Sequence, residues 1–207
     1  MLANKPYVIG LTGGIGCGKS EAARFLETLG AAHLDADAVS RALTAENGEA
    51  LGDIRRVFGD GVFRADGGLD RAKLGRLVFG NEPARRALEA ILHPLVQRNM
   101  LAAMDAAAQA GAGVVILDVP LLFETGMDAL CDETWALYAP RERQIARIVA
   151  RDGLSPEDAV ARIDSQMPIE DRNARATHVV NTDRPVERTQ AEIEQLYRAA
   201  QRRAEKG

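Results

Sequence analysis

Short apolar runs recur along the chain between longer stretches in which apolar and polar residues mix. Five of these runs have the length of a strand and lack a period-two alternation of apolar and polar positions. Runs of this kind are typical of strands that are buried on both faces of a parallel sheet. They cover residues 7–12, 32–35, 114–118, 134–139 and 178–181. The pattern therefore predicts a parallel sheet at the centre of the fold.

Helices are predicted between and after these runs, where helix formers and helical spacing of apolar residues dominate. They cover residues 20–29, 37–43, 70–79, 83–110, 140–150 and 185–204. Asp70 is expected to cap its helix, and Pro94 is expected to kink or split the longest one. The alternation of strand and helix favours an α/β fold with right-handed crossovers and helices on both faces of the sheet.

The predicted strands are unevenly spaced along the chain. The second ends at Asp35 and the third begins at Val114, which is far more than one crossover requires. We interpret residues 46–111 as a helical insertion that binds the substrate, and residues 141–176 as a lid. Both would belong to a single domain, 1–207, whose core comprises residues 1–45, 112–140 and 177–207.

The composition is that of an ordinary folded domain, with 46% apolar and 27% charged residues among 207. The net charge of −4 disfavours a broad basic face for duplex nucleic acid. Cys17 and Cys131 form no CxxC pair, which argues against a disulfide framework or a structural zinc site. No apolar stretch has the length of a membrane span or the character of a secretory signal. We therefore expect a cytoplasmic protein without nucleic-acid or membrane partners, whose oligomeric state the sequence leaves open.

A concentration of glycine follows the first predicted strand. Residues 13–20 read GGIGCGKS and match GxxxxGK[ST], with a strand before the motif and a helix after it. Glycine lets the backbone curl so that successive N–H groups point into one concavity. That concavity would lie at a helix N-terminus, where unpaired N–H groups and the helix dipole favour an anion. The motif predicts a nucleoside triphosphate site rather than a structural turn that carries a surface lysine.

The expected ATP contacts come from this loop and the first helical turn. Lys19 should neutralise the β- and γ-phosphates and act in catalysis, and the Ser20 hydroxyl should ligate Mg²⁺. Cys17 is interpreted as a small loop residue whose thiol pKa is lowered by Lys19 and the helix N-terminus. The set of expected nucleotide contacts in this segment is Gly13, Gly14, Ile15, Gly16, Cys17, Gly18, Lys19, Ser20 and Glu21.

Three classes of P-loop protein could carry this motif. A switch GTPase should carry an NKxD motif after a later strand, but the only NK dipeptide, at 4–5, precedes the first strand. A motor-type ATPase usually has a strand ending in Asp-Glu, whereas Asp118 is followed by valine. A small-molecule kinase needs an acceptor pocket and an arginine-bearing lid, which the insertion and the lid can supply. A kinase is therefore favoured, and a nucleotide-dependent switch is the alternative outside catalysis.

Six segments, in this order, resemble the dephospho-CoA kinase family. They are GLTGGIGCGKS (10–20), LDADAVSR (34–41), LHPLV (92–96), DVPLLFE (118–124), RQIARIVARD (143–152) and HVVNTD (178–183). The resemblance implies a P-loop fold of the nucleoside-monophosphate-kinase type. It also implies transfer of the ATP γ-phosphoryl group, with Mg²⁺, to the ribose 3′-hydroxyl of dephospho-CoA, the last step of coenzyme A synthesis. Another nucleoside or nucleotide kinase is the alternative enzyme.

The resemblance places several residues on the acceptor side. Asp37 follows a predicted strand end, where open α/β sheets bind ligands, and we expect it to act as general base or to orient the acceptor. By itself it would equally suit a helix N-cap. A lone histidine in an apolar helical stretch is more often a hydrogen-bonded core residue, but the family segment around His93 lines the acceptor side. The further residues expected to bind substrate are Arg41, Pro120, Leu121, Leu122 and Glu124.

For residues at the ends of two predicted strands, the sequence leaves two roles open. Asp118 either contacts Mg²⁺ through water or orders a turn. The PLLFE segment after it is either an apolar wall for the acceptor or a core loop. Asn181 matches a family position near adenine and would otherwise be a turn residue.

Arginines recur in the predicted lid. Arg143, Arg147 and Arg151 share one helical face, which is usually solvated but in a lid can clamp the charge on the transferring phosphoryl group. Arg147 and Arg151 match the lid arginines of the family, and Arg147 is expected to act in catalysis. Arg172 and Arg175 are weaker candidates for phosphate contacts.

Two loop residues depart from the family pattern, which generally has serine at Cys17 and a hydroxyl residue at Glu21. The helix dipole favours a carboxylate in the first turn, but that carboxylate would repel an α-phosphate. We expect Glu21 to point away from the phosphates or to weaken ATP binding.

Overall fold

A parallel sheet forms the centre of the first of two units in the computed structural model, which describes residues 5–206. Over these residues the sheet has five strands in the order β2-β3-β1-β4-β5, and each neighbouring pair is parallel. The strands are β1 (Tyr7–Gly13), β2 (Ala32–Asp35), β3 (Val114–Asp118), β4 (Glu133–Tyr138) and β5 (His178–Asn181). The predicted parallel sheet is confirmed, and every predicted strand lies within one residue of an observed one.

The first unit comprises the described residues up to Asp35 and those from Met104 onward, and the second unit is Ala36–Ala103. The helices around the sheet are α1 (Lys19–Thr28), α6 (Arg141–Asp152), α7 (Pro156–Asp164), α8 (Ile169–Arg175) and α9 (Val186–Ala204). The second unit contains α2 (Ala36–Leu43), α3 (Leu51–Phe58) and α4 (Arg71–Val78). The long helix α5 (Glu82–Gln109) begins in the second unit and ends in the first.

The observed helices test the expectations for Asp70, Asp37 and Pro94. Asp70 caps α4 as expected, since its side chain accepts a hydrogen bond from the Lys73 N–H at 2.9 Å. α2 already begins at Ala36, so the interpretation of Asp37 as its N-cap is wrong. α5 runs through Pro94 without interruption, so the predicted split does not occur there.

The core of the first unit fills the space between the sheet and the helices α1 and α9. Its fully buried members include Ile9 of β1, Ile116 of β3 and Trp135 of β4, which pack with Leu26 of α1 and Ile193 of α9. β3 is buried along its whole length. This explains the uninterrupted apolar runs in the sequence, because a parallel sheet covered by helices has no solvent face.

The second unit has a separate apolar cluster. Leu43 of α2, Ile54 of α3 and Leu74 of α4 are buried together with Val62 and Phe63 from the connection between α3 and α4. Apolar residues of α5 from Leu88 to Val96 pack against this cluster. No helix in the described part of the chain combines the length and the apolar character needed to cross a membrane.

Candidate active site

The carboxyl ends of the parallel strands meet at one edge of the sheet, which is where open α/β sheets bind ligands. Asp35 at the end of β2 is in register with Asp118 at the end of β3, and Asp118 is also in register with Leu11 of β1. On the other side, Gly13 at the end of β1 is in register with Leu137 of β4. The glycine loop therefore leaves the sheet beside Asp118.

The loop requires glycine for its conformation and for space. Gly16 and Gly18 have φ angles of 80° and 79°, in the left-handed region that favours glycine. A Cβ atom on Gly16 would lie 3.0 Å from the carbonyl oxygen of Gln144. A Cβ atom on Gly13 would lie 3.1 Å from the Cβ atom of Leu137. These contacts explain why the sequence concentrates glycine here.

α1 begins directly after the loop, with Gly18 as its N-cap. The N–H groups of Glu21 and Ala22 donate to the Gly18 carbonyl oxygen. The N–H groups of Lys19 and Ser20, as the first two helical residues, have no acceptor within the helix. Because the cap residue is glycine, it supplies no side chain to accept their hydrogen bonds, and the helix N-terminus suits an anion.

Asp118 connects the loop lysine to a histidine of the neighbouring strand. Its Oδ1 atom accepts a hydrogen bond from Lys19 Nζ, and its Oδ2 atom lies 3.2 Å from His33 Nε2. His33 Nδ1 lies 2.8 Å from Glu27 Oε1. The Asp118 side chain is thus buried between two groups that carry or can carry positive charge. Sequence analysis assigned His33 no role, because only the register of β2 with β3 brings it to Asp118.

The hydrogen bonds that Asp118 accepts from Lys19 and His33 determine the charge of its carboxyl group at the sheet edge. Burial by itself would raise the pKa of the Asp118 carboxyl, but the hydrogen bond from His33 and the charge of Lys19 together hold that pKa below its ordinary value. The hydrogen bond to Asp118 raises the pKa of His33, with burial opposing the shift and Glu27 adding to it. Asp118 is therefore an ionised carboxylate at neutral pH.

Two glutamines from the predicted lid contact the start of the loop. Gln166 Oε1 accepts a hydrogen bond from the Ile15 N–H at 2.8 Å. The buried Gln144 of α6 donates from Nε2 to the Ala139 carbonyl oxygen at 2.9 Å, and its Oε1 atom would lie 3.2 Å from a Cβ atom on Gly14. Neither glutamine was predicted, because a neutral side chain in a polar segment gives no chemical signal in the sequence.

Arg147 joins the glycine loop to the turn after β5. Its Nη1 atom donates to the Gly16 carbonyl oxygen at 2.9 Å and to Thr182 Oγ1 at 3.1 Å, and Nη2 donates to the Thr182 carbonyl oxygen at 2.7 Å. The Thr182 hydroxyl lies 3.0 Å from the Cys17 carbonyl oxygen, to which it can donate. Arg147 therefore lies beside the glycine loop.

The other predicted lid and turn residues are more exposed. Arg143 pairs with Asp183 at 2.6 Å, and Arg151 pairs with the adjacent Asp152 at 2.7 Å. The Asn181 side chain accepts a hydrogen bond from the Asp183 N–H at 2.8 Å, which is the geometry of a turn residue. An open groove of about 440 Å³ follows this surface, and its lining comprises Arg143, Ala146, Arg147, Ala150 and residues 182–184.

The structure corrects the prediction for the loop cysteine. Cys17 is fully buried, and burial raises the pKa of its thiol despite the nearby charges of Arg172 and Arg147. Its N–H donates to the Gly14 carbonyl oxygen at 3.0 Å. Cys17 is therefore a packing residue of the loop.

The segment after Asp118 is partly core and partly surface. Pro120 accepts a hydrogen bond through its carbonyl oxygen from Thr12 Oγ1 at 3.0 Å. Leu121 is 39% exposed, whereas Leu122 is fully buried, and a Cβ atom on Gly10 would lie 2.8 Å from Leu122 Cδ2. Leu122 is a core residue, so the expectation that it contacts the acceptor is corrected in favour of the core-loop alternative.

Three of the predicted acceptor residues belong to the second unit. Asp37 is exposed in the first turn of α2, and Arg41 lies one turn further along the same helix face. The Arg41 carbonyl oxygen accepts a hydrogen bond from Arg71 Nη2 at 2.7 Å. His93 is exposed on α5, so the alternative of a buried core histidine is wrong.

The site residues fit a magnesium ion that is shared with a phosphate chain. Within residues 5–206, no group of three or more His, Cys, Asp or Glu side chains could hold a metal by itself. Mg²⁺ is usually bound by one or two protein oxygens, substrate phosphates and water. The ionised Asp118 carboxylate at the sheet edge and the Ser20 hydroxyl in the first turn of α1 supply donors of this kind.

Comparisons with known proteins cover nearly the whole chain. A family model described as dephospho-CoA kinase matches residues 7–187. The dephospho-CoA kinase of Symbiobacterium thermophilum is 44% identical over 193 residues, which cover 93% of this chain and 81% of that protein. The crystal structure of TT1252 from Thermus thermophilus is 38% identical, with a TM-score of 0.79, and the match covers 94% of this chain and 97% of that one. A dephospho-CoA kinase from Campylobacter jejuni shares the fold at 24% identity, with a TM-score of 0.63 over 95% of this chain and 98% of that one.

A parallel sheet whose first strand runs through a glycine loop into a helix defines a P-loop fold, and the match to a kinase family assigns the chain to the kinases of that fold. Within this class, the family match and the identity to its relatives are decisive. The chain belongs to the dephospho-CoA kinase family.

Proposed function

We propose that this chain transfers the γ-phosphoryl group of ATP to the ribose 3′-hydroxyl of dephospho-CoA, which yields coenzyme A and ADP. The observation that carries the proposal is the extent of the family match, which runs from the start of β1 through the second unit to the first turn of α9. A match confined to the loop would support only nucleotide binding. The reaction therefore follows from the family, and the geometry supports the roles of individual residues.

The phosphate chain of ATP binds in the glycine loop. The N–H groups at the start of α1 and the Lys19 ammonium group hold the phosphates, with residues 13–21 as the surrounding contacts. Lys19 leaves its partner Asp118 to do so, because a flexible four-carbon stem allows the ammonium group to move. The nucleoside lies toward the groove beside Arg147. Arg151 and Asn181, which follow and precede lining residues in the sequence, are its further expected contacts.

Mg²⁺ accompanies the nucleotide. The Ser20 hydroxyl would ligate the ion, and the Asp118 carboxylate would hold it through a water molecule. The chemistry that the ion would supply is neutralisation of charge on the phosphate oxygens. Asp118 suits this role because the network around it keeps the carboxylate ionised.

We assign the acceptor contacts residue by residue from the family segments. Asp37 accepts a hydrogen bond from the ribose hydroxyl and orients it. The remaining acceptor contacts are Arg41, His93, Pro120, Leu121 and Glu124. Exposed side chains at Asp37, Arg41 and His93 agree with such a role, since a buried side chain would not reach a ligand.

The transfer itself is a direct in-line displacement. The ribose 3′-oxygen forms a bond to the γ-phosphorus atom while the bond from that atom to the β,γ-bridging oxygen breaks. The hydroxyl proton passes to the Asp37 carboxylate, and ADP leaves with the bridging oxygen. Lys19 and Arg147 balance the negative charge on the transferring group, and positioning supplies most of the catalysis because the transition state is loose.

An acceptor panel tests the proposal. ADP release is measured with ATP and dephospho-CoA, and then with ATP and a series of nucleosides and nucleotides. We expect dephospho-CoA to give the highest kcat/KM. Faster ADP release with a nucleoside would assign another acceptor, and ADP release that is independent of any acceptor would favour a nucleotide switch.

A further inference from the structure

His33 on β2 lies between two carboxylates that belong to different elements. Its Nε2 atom lies 3.2 Å from Asp118 Oδ2 at the end of β3, and its Nδ1 atom lies 2.8 Å from Glu27 Oε1 on α1. The two ring nitrogens point in different directions, so the contact with Glu27 helps to fix the orientation in which Nε2 faces Asp118. The imidazole ring is therefore held against the Asp118 carboxylate from its far side.

Asp118 has one partner for each of its two oxygens. Oδ1 accepts a hydrogen bond from Lys19 Nζ, and Oδ2 accepts one from His33 Nε2. The Asp118 side chain is only 6% exposed, so solvent is poorly placed to replace a partner that leaves. A buried carboxylate without a partner is costly, because its lost hydration is not compensated. If His33 were absent, the departure of Lys19 would leave such a carboxylate.

ATP binding requires that departure under the proposed function. Lys19 has to leave Asp118 in order to reach the phosphates, and the stem of a lysine side chain is flexible enough for this movement. The imidazole ring of His33 stays in place, because it lies on a strand that is paired with β3 and is also held by Glu27. The hydrogen bond at Asp118 Oδ2 is therefore kept while the partner of Oδ1 changes.

We propose that His33 is a positioning residue that allows Lys19 to exchange Asp118 for the phosphates of ATP. By staying bound to Oδ2, His33 keeps the buried carboxylate compensated after Lys19 has left. His33 acts through Asp118 and does not contact the nucleotide. The inference rests on the proposed function only in that the glycine loop must bind ATP.

The test measures ATP binding by titration calorimetry in EDTA, so that neither Mg²⁺ nor the acceptor contributes. His33→Leu removes the hydrogen bond to Asp118 at a similar side-chain volume. Without this bond Lys19 is the only partner of the carboxylate, and we expect ATP to bind about tenfold more weakly. The control is His178→Leu, which removes a histidine that lies 3.7 Å from another buried carboxylate, Glu133 Oε2. Its affinity for ATP should equal that of the parent chain.

A double-mutant cycle shows whether His33 acts through Asp118. In the Asp118→Asn background no carboxylate holds Lys19, so His33→Leu should leave ATP affinity unchanged there. An equal loss of affinity in both backgrounds would mean that His33 acts on the fold or on the phosphates themselves, and would overturn the proposal. Parent-like affinity in the single His33→Leu variant would also overturn it.

Two polar variants of His33 separate the hydrogen bond from packing. The side-chain amide of His33→Gln has about the reach of Nε2 and can donate to Asp118, whereas that of His33→Asn is too short. We expect the glutamine variant to keep most of the affinity for ATP and the asparagine variant to lose as much as His33→Leu. Equal affinities in these two variants, each shown to be folded by its melting curve, would contradict the proposal. This comparison decides the question by itself if the leucine variant does not fold.

The binding results are separate from the identity of the acceptor. A parent chain that binds ATP but does not phosphorylate dephospho-CoA would contradict the proposed function, and the same titrations would still decide the role of His33. Conversely, transfer to dephospho-CoA by the parent chain together with an unchanged ATP affinity in His33→Leu would overturn the role of His33 alone.

Discussion

Lys19 of the glycine loop and Asp118 at the end of β3 form an ion pair at the carboxyl edge of the sheet. The lysine that we propose to bind the phosphates of ATP is thus paired with a carboxylate. His33 on the neighbouring strand hydrogen-bonds the other oxygen of the same carboxylate. Under the proposed function, ATP has to compete with Asp118 for Lys19.

Replacing the Asp118 carboxylate should change ATP binding and turnover in opposite directions. Asp118→Asn removes a negative charge beside the phosphate site, so ATP without Mg²⁺ should bind severalfold more tightly. Turnover with Mg²⁺ should fall about 10- to 100-fold, as is typical when an outer-shell partner of a metal is lost. Calorimetry in EDTA and steady-state kinetics with Mg²⁺ measure the two effects. The control is Asp105→Asn, which changes an exposed carboxylate on α5. If Asp118→Asn has the values of the parent chain in both assays, Asp118 has no role in the site.

The second unit carries the expected acceptor-orienting group. Asp37→Asn keeps the shape of the side chain but removes its basicity, so kcat should fall about 10²- to 10⁴-fold. ATP affinity should stay within twofold, because the phosphates bind to the loop. Asp53→Asn, a half-exposed carboxylate on α3, controls for the loss of charge from the same unit. Equal turnover in Asp37→Asn and the parent chain would exclude Asp37 from the chemistry.

Arg147 connects the loop to the turn after β5 through Gly16 and Thr182. Arg147→Met should lower kcat about 10²- to 10³-fold, since it removes a cation from the transferring phosphoryl group. Arg198→Met, an exposed arginine on α9, should have kinetics like those of the parent chain. If Arg147 served only to hold the turn, Thr182→Val would reproduce the loss of kcat, so the two variants are compared in the same assay. A larger loss for Arg147→Met than for Thr182→Val is expected.

Both cysteines should react slowly with alkylating reagents in the folded protein. Burial raises the pKa of the Cys17 thiol, and burial together with Asp128 and Asp132 raises the pKa of Cys131 to about 12. Since the thiolate is the reactive form, labelling by iodoacetamide at pH 8 should be at least about tenfold slower than for a free thiol. Labelling should become complete in denaturant, with Cys17→Ala and Cys131→Ala identifying each site by mass. If Cys17 is labelled rapidly in the native protein and ATP prevents this labelling, the original prediction of a lowered thiol pKa would be correct.

The parallel sheet and the glycine loop were predictable because each rests on local chemistry. Strands buried on both faces leave uninterrupted apolar runs, and the loop leaves a fixed spacing of glycine, lysine and serine. The network around Asp118 was not predictable, because His33 reaches it only through the register of two strands that are far apart in sequence. The prediction of a lowered pKa for the Cys17 thiol was wrong for a related reason. Sequence shows that a lysine is adjacent, but it does not show that the thiol points into the core.

The residues expected to bind the acceptor show the same contrast between local and tertiary signals. The family segments led to the prediction that Asp37 and His93 bind the acceptor, which stays a prediction, and both side chains are exposed. The role of Leu122 could not be predicted from the family segments. Its neighbour Leu121 is exposed and chemically identical, and only the packing against Gly10 distinguishes the two. Gln144 and Gln166 gave no signal because their contacts to the loop depend on tertiary structure.

Transfer of a labelled phosphate tests the central claim most directly. The chain is incubated with dephospho-CoA, Mg²⁺ and ATP that carries ³²P in its γ-phosphate, and the products are separated and treated with a 3′-nucleotidase. We expect the label to appear in coenzyme A, to be released by the 3′-specific enzyme, and to be absent when Lys19→Met replaces the parent chain. Label that is found only in inorganic phosphate, or on an added nucleoside in preference to dephospho-CoA, would contradict the claim.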